Sequence, residues 1–154
     1  PAVLQNTKRL KRDDWIRYWK RNAFLSLGKM EELENLKDLG VISTTEEKLL
    51  FGLGWLDKEN TEKANTWINK SIAQLKQKGD PVSLQLARWL EKPADLDINR
   101  LLNIRQSFEK KRIYYALFAK LSSKHRARLI KETRKYNFRL TFPHYFLERV
   151  VSKL

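Results

Sequence analysis

Apolar positions along the chain recur at steps of three and four, and the segments that carry them are separated by short polar breaks. Trp15, Ile16, Trp19, Ala23 and Leu27 form one such set. Asp13 and Asp14 precede it as a cap with favourable dipole charge, and Gly28 follows as a stop. Met30, Leu33, Leu36 and Leu39 run at period three towards Gly40. Thr44 with Glu47 has the form of a capping box for a helix bearing Leu49, Leu50, Leu53 and Leu56, and Asn60 offers the next cap. The clearest stripe is Ala64, Trp67, Ile68, Ser71, Ile72 and Leu75, closed by Gly79.

Asp80 and Pro81 cap and open another helix, which runs to about Lys92 before Pro93 stops it. After Asp95 to Asp97, helices are expected near 98–108, 109–121 and 123–137. Residues 137–141 could be extended, and Pro143 would open a last helix reaching Val151. No pair of alternating strands joined by a turn dipeptide is found. The expectation is an all-α chain of about eight short antiparallel helices stacked as hairpins, one domain over 1–154. Within it, 1–92 is a Trp-rich hairpin part and 93–154 a strongly basic part.

The regular spacing invites a search for repeats. Leu53-Gly54-Trp55-Leu56, Glu62-Lys63-Ala64, Trp67, Lys70-Ser71, Lys78-Gly79-Asp80-Pro81, Gln85-Leu86-Ala87 and Trp89-Leu90 together resemble a Sel1-like repeat, a relative of the tetratricopeptide repeat. The resemblance covers about one repeat, residues 46–92, with a looser echo at Phe24 and Leu27-Gly28. It implies stacked α-hairpins used to bind proteins, and it carries no catalytic residues. Downstream, over 96–121, the Gly and Ala positions of the pattern are missing.

Charge changes the picture more than composition does. The 154 residues hold 32 Lys and Arg against 18 Asp and Glu, a formal net charge of +14. By segment this is +6 over 1–30, −3 over 31–100 and +11 over 101–154. From Lys110 through Lys131 there are eight Lys or Arg and no Asp or Glu, so ion pairs within that stretch cannot account for the cations. On a helix over 123–137, Lys124, Arg128, Lys131 and Lys135 fall within about 60° of one another, opposite Leu129, Ile130 and Thr133, with Arg126 and Arg134 at the flanks. Such a stripe suits a polyphosphate backbone, whose affinity comes from cations that replace condensed counterions. A solvated helix face is the bland alternative, and an anionic membrane ranks lower because this helix has no Trp or Phe on its apolar side.

Arg112, Lys120, Lys124, Arg128, Lys131 and Lys135 are therefore the candidate polyanion contacts. Nine of the 12 Phe and Tyr lie between Phe108 and Phe146 among the cations. Phe108, Tyr115 and Phe118 are expected in the core, with Tyr114, Tyr136 and Tyr145 the candidates for stacking on bases. All five Trp lie before Lys92 and are expected to be core.

Little else points to chemistry. There is no Cys, so no disulfide scaffold, thiolate metal site or Cys nucleophile. His125 and His144 lack metalloprotease spacing, and Gly52 and Gly54 belong to no phosphate loop. Arg139 and His144 have the Arg-x-x-x-x-His spacing that resembles the HEPN ribonucleases, but Pro143 and Leu140 depart from that pattern. The expectation is a non-enzymatic binding module without metal, cofactor or small-molecule ligand. Its partner would be a nucleic acid or other polyanion, within a larger complex. A scaffold of the Sel1 type binding an acidic protein is the alternative, as is an accessory helical domain of a cell-wall enzyme. No apolar run approaches the roughly 20 residues of a membrane span. The start at Pro1 fits Met removal, a cut export signal or an excised domain equally, so the compartment stays open, with the cytoplasm slightly favoured.

Overall fold

The computed structural model of the chain describes residues 2–36, 44–135 and 142–154, the side chains of 2–11 and 142–145 aside. It is all-α, and no strand occurs among the described residues. The α-helices are α1 (Ala2–Ser26), α2 (Met30–Glu34), α3 (Thr45–Asp57), α4 (Thr61–Lys78), α5 (Pro81–Glu91), α6 (Ile98–Leu102), α7 (Phe108–Leu121), α8 (Arg126–Thr133) and α9 (Phe142–Ser152). Single 3-10 turns lie at Pro93–Asp95 and Ser123–His125.

Local chemistry sets most helix starts. The side chains of Asn60, Asp80 and Asp97 accept from the backbone N–H three residues on, at 3.1, 3.0 and 3.2 Å. Gly79 ends α4 at φ +75°, where a side chain would be strained, and its N–H donates to the Leu75 carbonyl. The capping box at Thr44 is half made. Thr44 accepts from the Glu47 N–H at 3.2 Å, but the Glu47 carboxylate leaves the helix end for Arg21.

Several boundaries differ from the sequence reading. Asp13 and Asp14 do not cap a helix, because α1 already runs from Ala2. The segment expected over 98–108 is helical only to Leu102, and Ser107 caps α7 anew. The segment expected over 123–137 divides into a 3-10 turn and the eight-residue α8. The extended stretch expected at 137–141 lies outside the described residues.

The core forms around α3, which lies against α4 on one side and α7 on the other. Phe51 meets Trp67 edge to face, with ring centroids 4.9 Å apart, the arrangement that the aromatic quadrupole favours. Two glycines bring the backbones close. A Cβ on Gly52 would stand 2.9 Å from Ile68 Cγ1, and one on Gly54 would stand 2.6 Å from Met30 Sδ. Helix α5 closes on α4, while α7 packs on α8 and α9.

Helix α1 is held by polar groups as well as by the burial of Leu25. Arg21 and Glu47, both buried, pair across α1 and α3, with Nη2 donating to Oε1 at 3.1 Å and Nε to Oε2. One turn further on, at the C-terminal end of α1, the Arg149 guanidinium donates to the carbonyls of Leu25 and Ser26 and lies 3.9 Å from Asp57, which Lys153 also approaches. This clasp places a cation at the negative end of the α1 dipole.

One expectation about the core is overturned. Trp55, Trp67 and Trp89 are buried, but Trp15 is 62% exposed and Trp19 48%. The side of α1 that meets the bundle bears Arg21, Asn22 and Leu25, and the stripe of Trp15, Ile16, Trp19 and Ala23 lies about 120° away around the helix. The apolar stripe and the packed face of α1 are thus different faces.

Candidate polyanion-binding surface

The surface is built where α7 ends. The Ser122 N–H donates to the Phe118 carbonyl at 2.8 Å, and Arg126 Nε donates to the Ala119 carbonyl at 2.8 Å, so two carbonyls of the last turn are satisfied as the chain reverses. Arg126 is thereby spent on the helix end. In α8, Leu129 and Thr133 face inward and are buried, and Thr133 Oγ1 donates to the Ile130 carbonyl. Anchoring that side turns Lys124, Arg128 and Lys131 outward, and Lys135 follows just beyond the helix; all four are exposed.

The 3-10 turn alters the stripe without dispersing it. With 120° per residue through the turn and 100° in α8, Lys124 falls about 80° from Arg128, on the same side as Lys131. Lys120, in the last turn of α7, is half-buried. Arg134, which the helical wheel places at the flank of the inner face, is the C-cap of α8 and is exposed.

Glu132 is the one carboxylate among residues 123–135, which hold six Lys and Arg. It lies 3.9 Å from Arg128 Nε and 4.0 Å from Lys135 Nζ. Both cations are more than half exposed, so each contact is worth less than about 1 kcal/mol and is weakened by salt. A segment with an excess of five positive charges keeps most of its field. Elsewhere, compensation comes from distant carboxylates that the sequence does not place nearby: Lys110 lies 3.8 Å from Glu46 and Arg112 pairs with Glu148.

Two of the proposed contacts are corrected by burial. Arg112 is 2% exposed, its Nη2 donating to Glu148 Oε1 between α7 and α9, and it cannot reach a ligand with the rest of the stripe. Tyr114 is 1% exposed and stacks on Phe118 at 6.5 Å between centroids, so it offers no face to a base. Its phenol is pushed far above the ordinary value, by burial first and the Glu46 charge second, so it keeps its proton. The reason for both is common. Residues 112–119 are buried without interruption because α3, α8 and α9 enclose α7, which leaves this helix no outer face there. Tyr115 and Phe118 are core, as expected. Tyr136, Arg139 and the side chains of His144 and Tyr145 lie outside the described residues.

Among the described residues no group of three or more His, Asp and Glu is placed to hold a metal ion, and no helix is long and apolar enough to cross a membrane. Comparison of the chain with protein-family models, with curated proteins and with solved structures finds no match.

Proposed function

We propose that this protein is a non-enzymatic module, working within a larger complex, whose basic C-terminal surface binds the phosphate backbone of a nucleic acid. The observation that supports this reading is the joint exposure of Lys124, Arg128, Lys131 and Lys135 with Glu132 as their local carboxylate. Cations in this arrangement bind by charge and do not read base edges, so binding is independent of sequence. The burial of Tyr114 removes one stacking contribution from the surface.

The test is affinity for duplex and single-stranded DNA and RNA across a salt series. About four phosphate contacts on a duplex give a slope of log K against log salt near −3.6. The variant Lys124→Glu/Arg128→Glu/Lys131→Glu should lose binding at least about 100-fold on every sequence. Absence of binding at low salt, or an unchanged triple variant, overturns the reading.

A second reading, an interaction scaffold of the Sel1 or tetratricopeptide type for an acidic partner, is supported by the helix joints of 46–92. The motif residues Gly54 and Ala64 lie where α3 meets α2 and α4, and Gly79, Asp80 and Pro81 make the corner into α5. Capture of the native complex separates the readings: a partner that survives nuclease treatment speaks for the scaffold, and one that nuclease removes speaks for nucleic acid.

A further inference from the structure

The outward face of α1 takes no part in the surface just described. Trp15, Ile16, Trp19 and Leu27 are all about half exposed or more, and with Ala23 they form one stripe along the second half of a helix roughly 37 Å long and onto the turn just past its end. Single exposed apolar residues are ordinary, but two indoles and two aliphatic side chains on one helix face make a contiguous patch of the kind that meets a partner.

Its surroundings say which kind. Helix α1 holds seven Lys and Arg against Asp13 and Asp14, an excess of five positive charges. Exposed Arg12 continues the stripe and exposed Lys20 borders it. Asp14 falls on the opposite side of the helix, 3.5 Å from Arg17, and Asp13 lies about 90° from the stripe's centre. Indole rings beside cations with long apolar stems suit a lipid interface. The rings partition to the headgroup level, and the stems carry their charges to lipid phosphates. Ile16 and Leu27 need an apolar phase, which a nucleic-acid backbone does not supply and acyl chains do.

We propose that this face of α1 docks on the surface of an anionic lipid membrane. Trp15, Ile16, Trp19 and Leu27 enter the boundary between headgroups and acyl chains, and Arg12 and Lys20 meet the lipid phosphates. The helix lies in the plane of the interface and does not cross it. This inference is independent of the nucleic-acid reading, because it uses a different helix.

The test is co-sedimentation of the full chain with phosphatidylcholine vesicles containing about 30% phosphatidylglycerol and with phosphatidylcholine alone, together with Trp emission. Because Trp55, Trp67 and Trp89 are buried in the core, a blue shift on binding reports Trp15 and Trp19. Expected are salt-sensitive association with the anionic vesicles, a blue shift, and loss of both by about tenfold or more in Trp15→Ser/Trp19→Ser, whose exposed positions leave folding intact. Lys124→Glu/Arg128→Glu/Lys131→Glu should keep the blue shift. The proposal is overturned by absence of association at low salt, by equal association with neutral vesicles, or by a Trp15→Ser/Trp19→Ser variant that binds as well as the parent. It is also overturned if light scattering finds a dimer that this variant dissociates, since a second copy then covers the face.

Discussion

Helices α4 and α1 both carry apolar residues at steps of three and four, yet α4 buries its stripe and α1 turns its own outward. Between them lies a difference in neighbours. Helix α4 is flanked by α3 and α5, which cover Ala64, Trp67, Ile68, Ile72 and Leu75. Among the described residues, helix α1 meets α9, α2 and α3, to which it presents Arg21, Asn22 and Leu25. A stripe states that a face prefers to leave water. Whether the same chain covers it depends on how many elements reach it, and a stripe left outside becomes a surface for something else.

The sharpest way to break this comparison is to truncate one indole from each helix. Trp67→Ala removes a buried ring that packs on Phe51 and should cost about 3–5 kcal/mol in denaturant unfolding. Trp15→Ala should stay within about 0.5 kcal/mol of the parent. Equal losses would mean that the outward face of α1 contributes to the fold.

Next comes the polar attachment of α1. Arg21→Met leaves the Glu47 carboxylate buried and without its partner, at a cost of about 3–5 kcal/mol, whereas Arg21→Met/Glu47→Leu should recover most of that loss because neither charge then needs solvation. A double variant no better than the single would show that the pair does more than satisfy itself.

The smallest effect concerns the corner between α4 and α5. The Asp80 carboxylate is held below its ordinary value by the Ser83 hydroxyl first and the Ser83 N–H second. A depressed folded value means that the cap contributes fully above the unfolded aspartate value near 3.8 and is lost as pH falls through the lower folded value. Asp80→Ala should therefore lower the melting temperature slightly at pH 7, and its difference from the parent should vanish in acid. A difference that persists there assigns the effect to something other than the carboxylate.

How much could be read in advance follows the range of the interactions. The caps at Thr44, Asn60 and Asp80 and the stop at Gly79 rest on contacts within four residues, and they are present in the string of letters. Glu47 defeats the same rule. Its spacing from Thr44 completes a capping box, but Arg21, 26 positions away, takes its carboxylate into the interior. For the candidate surface, the exposed cations of 124–135 were legible because one side of α8 is apolar and the other is not.

Arg112 and Tyr114 were not legible. A helical wheel assumes an inside and an outside, and α7 has neighbours all round over 112–119. The aromatic face of α1 was misread for the opposite reason, since the wheel treats an apolar side as the covered one. By itself, then, the sequence determined the all-α class, most helix ends and the basic character of the C-terminal third, because propensity, capping and charge act locally. Only the tertiary structure decided which faces meet water, since burial is set by elements that lie far away in the chain and close in space.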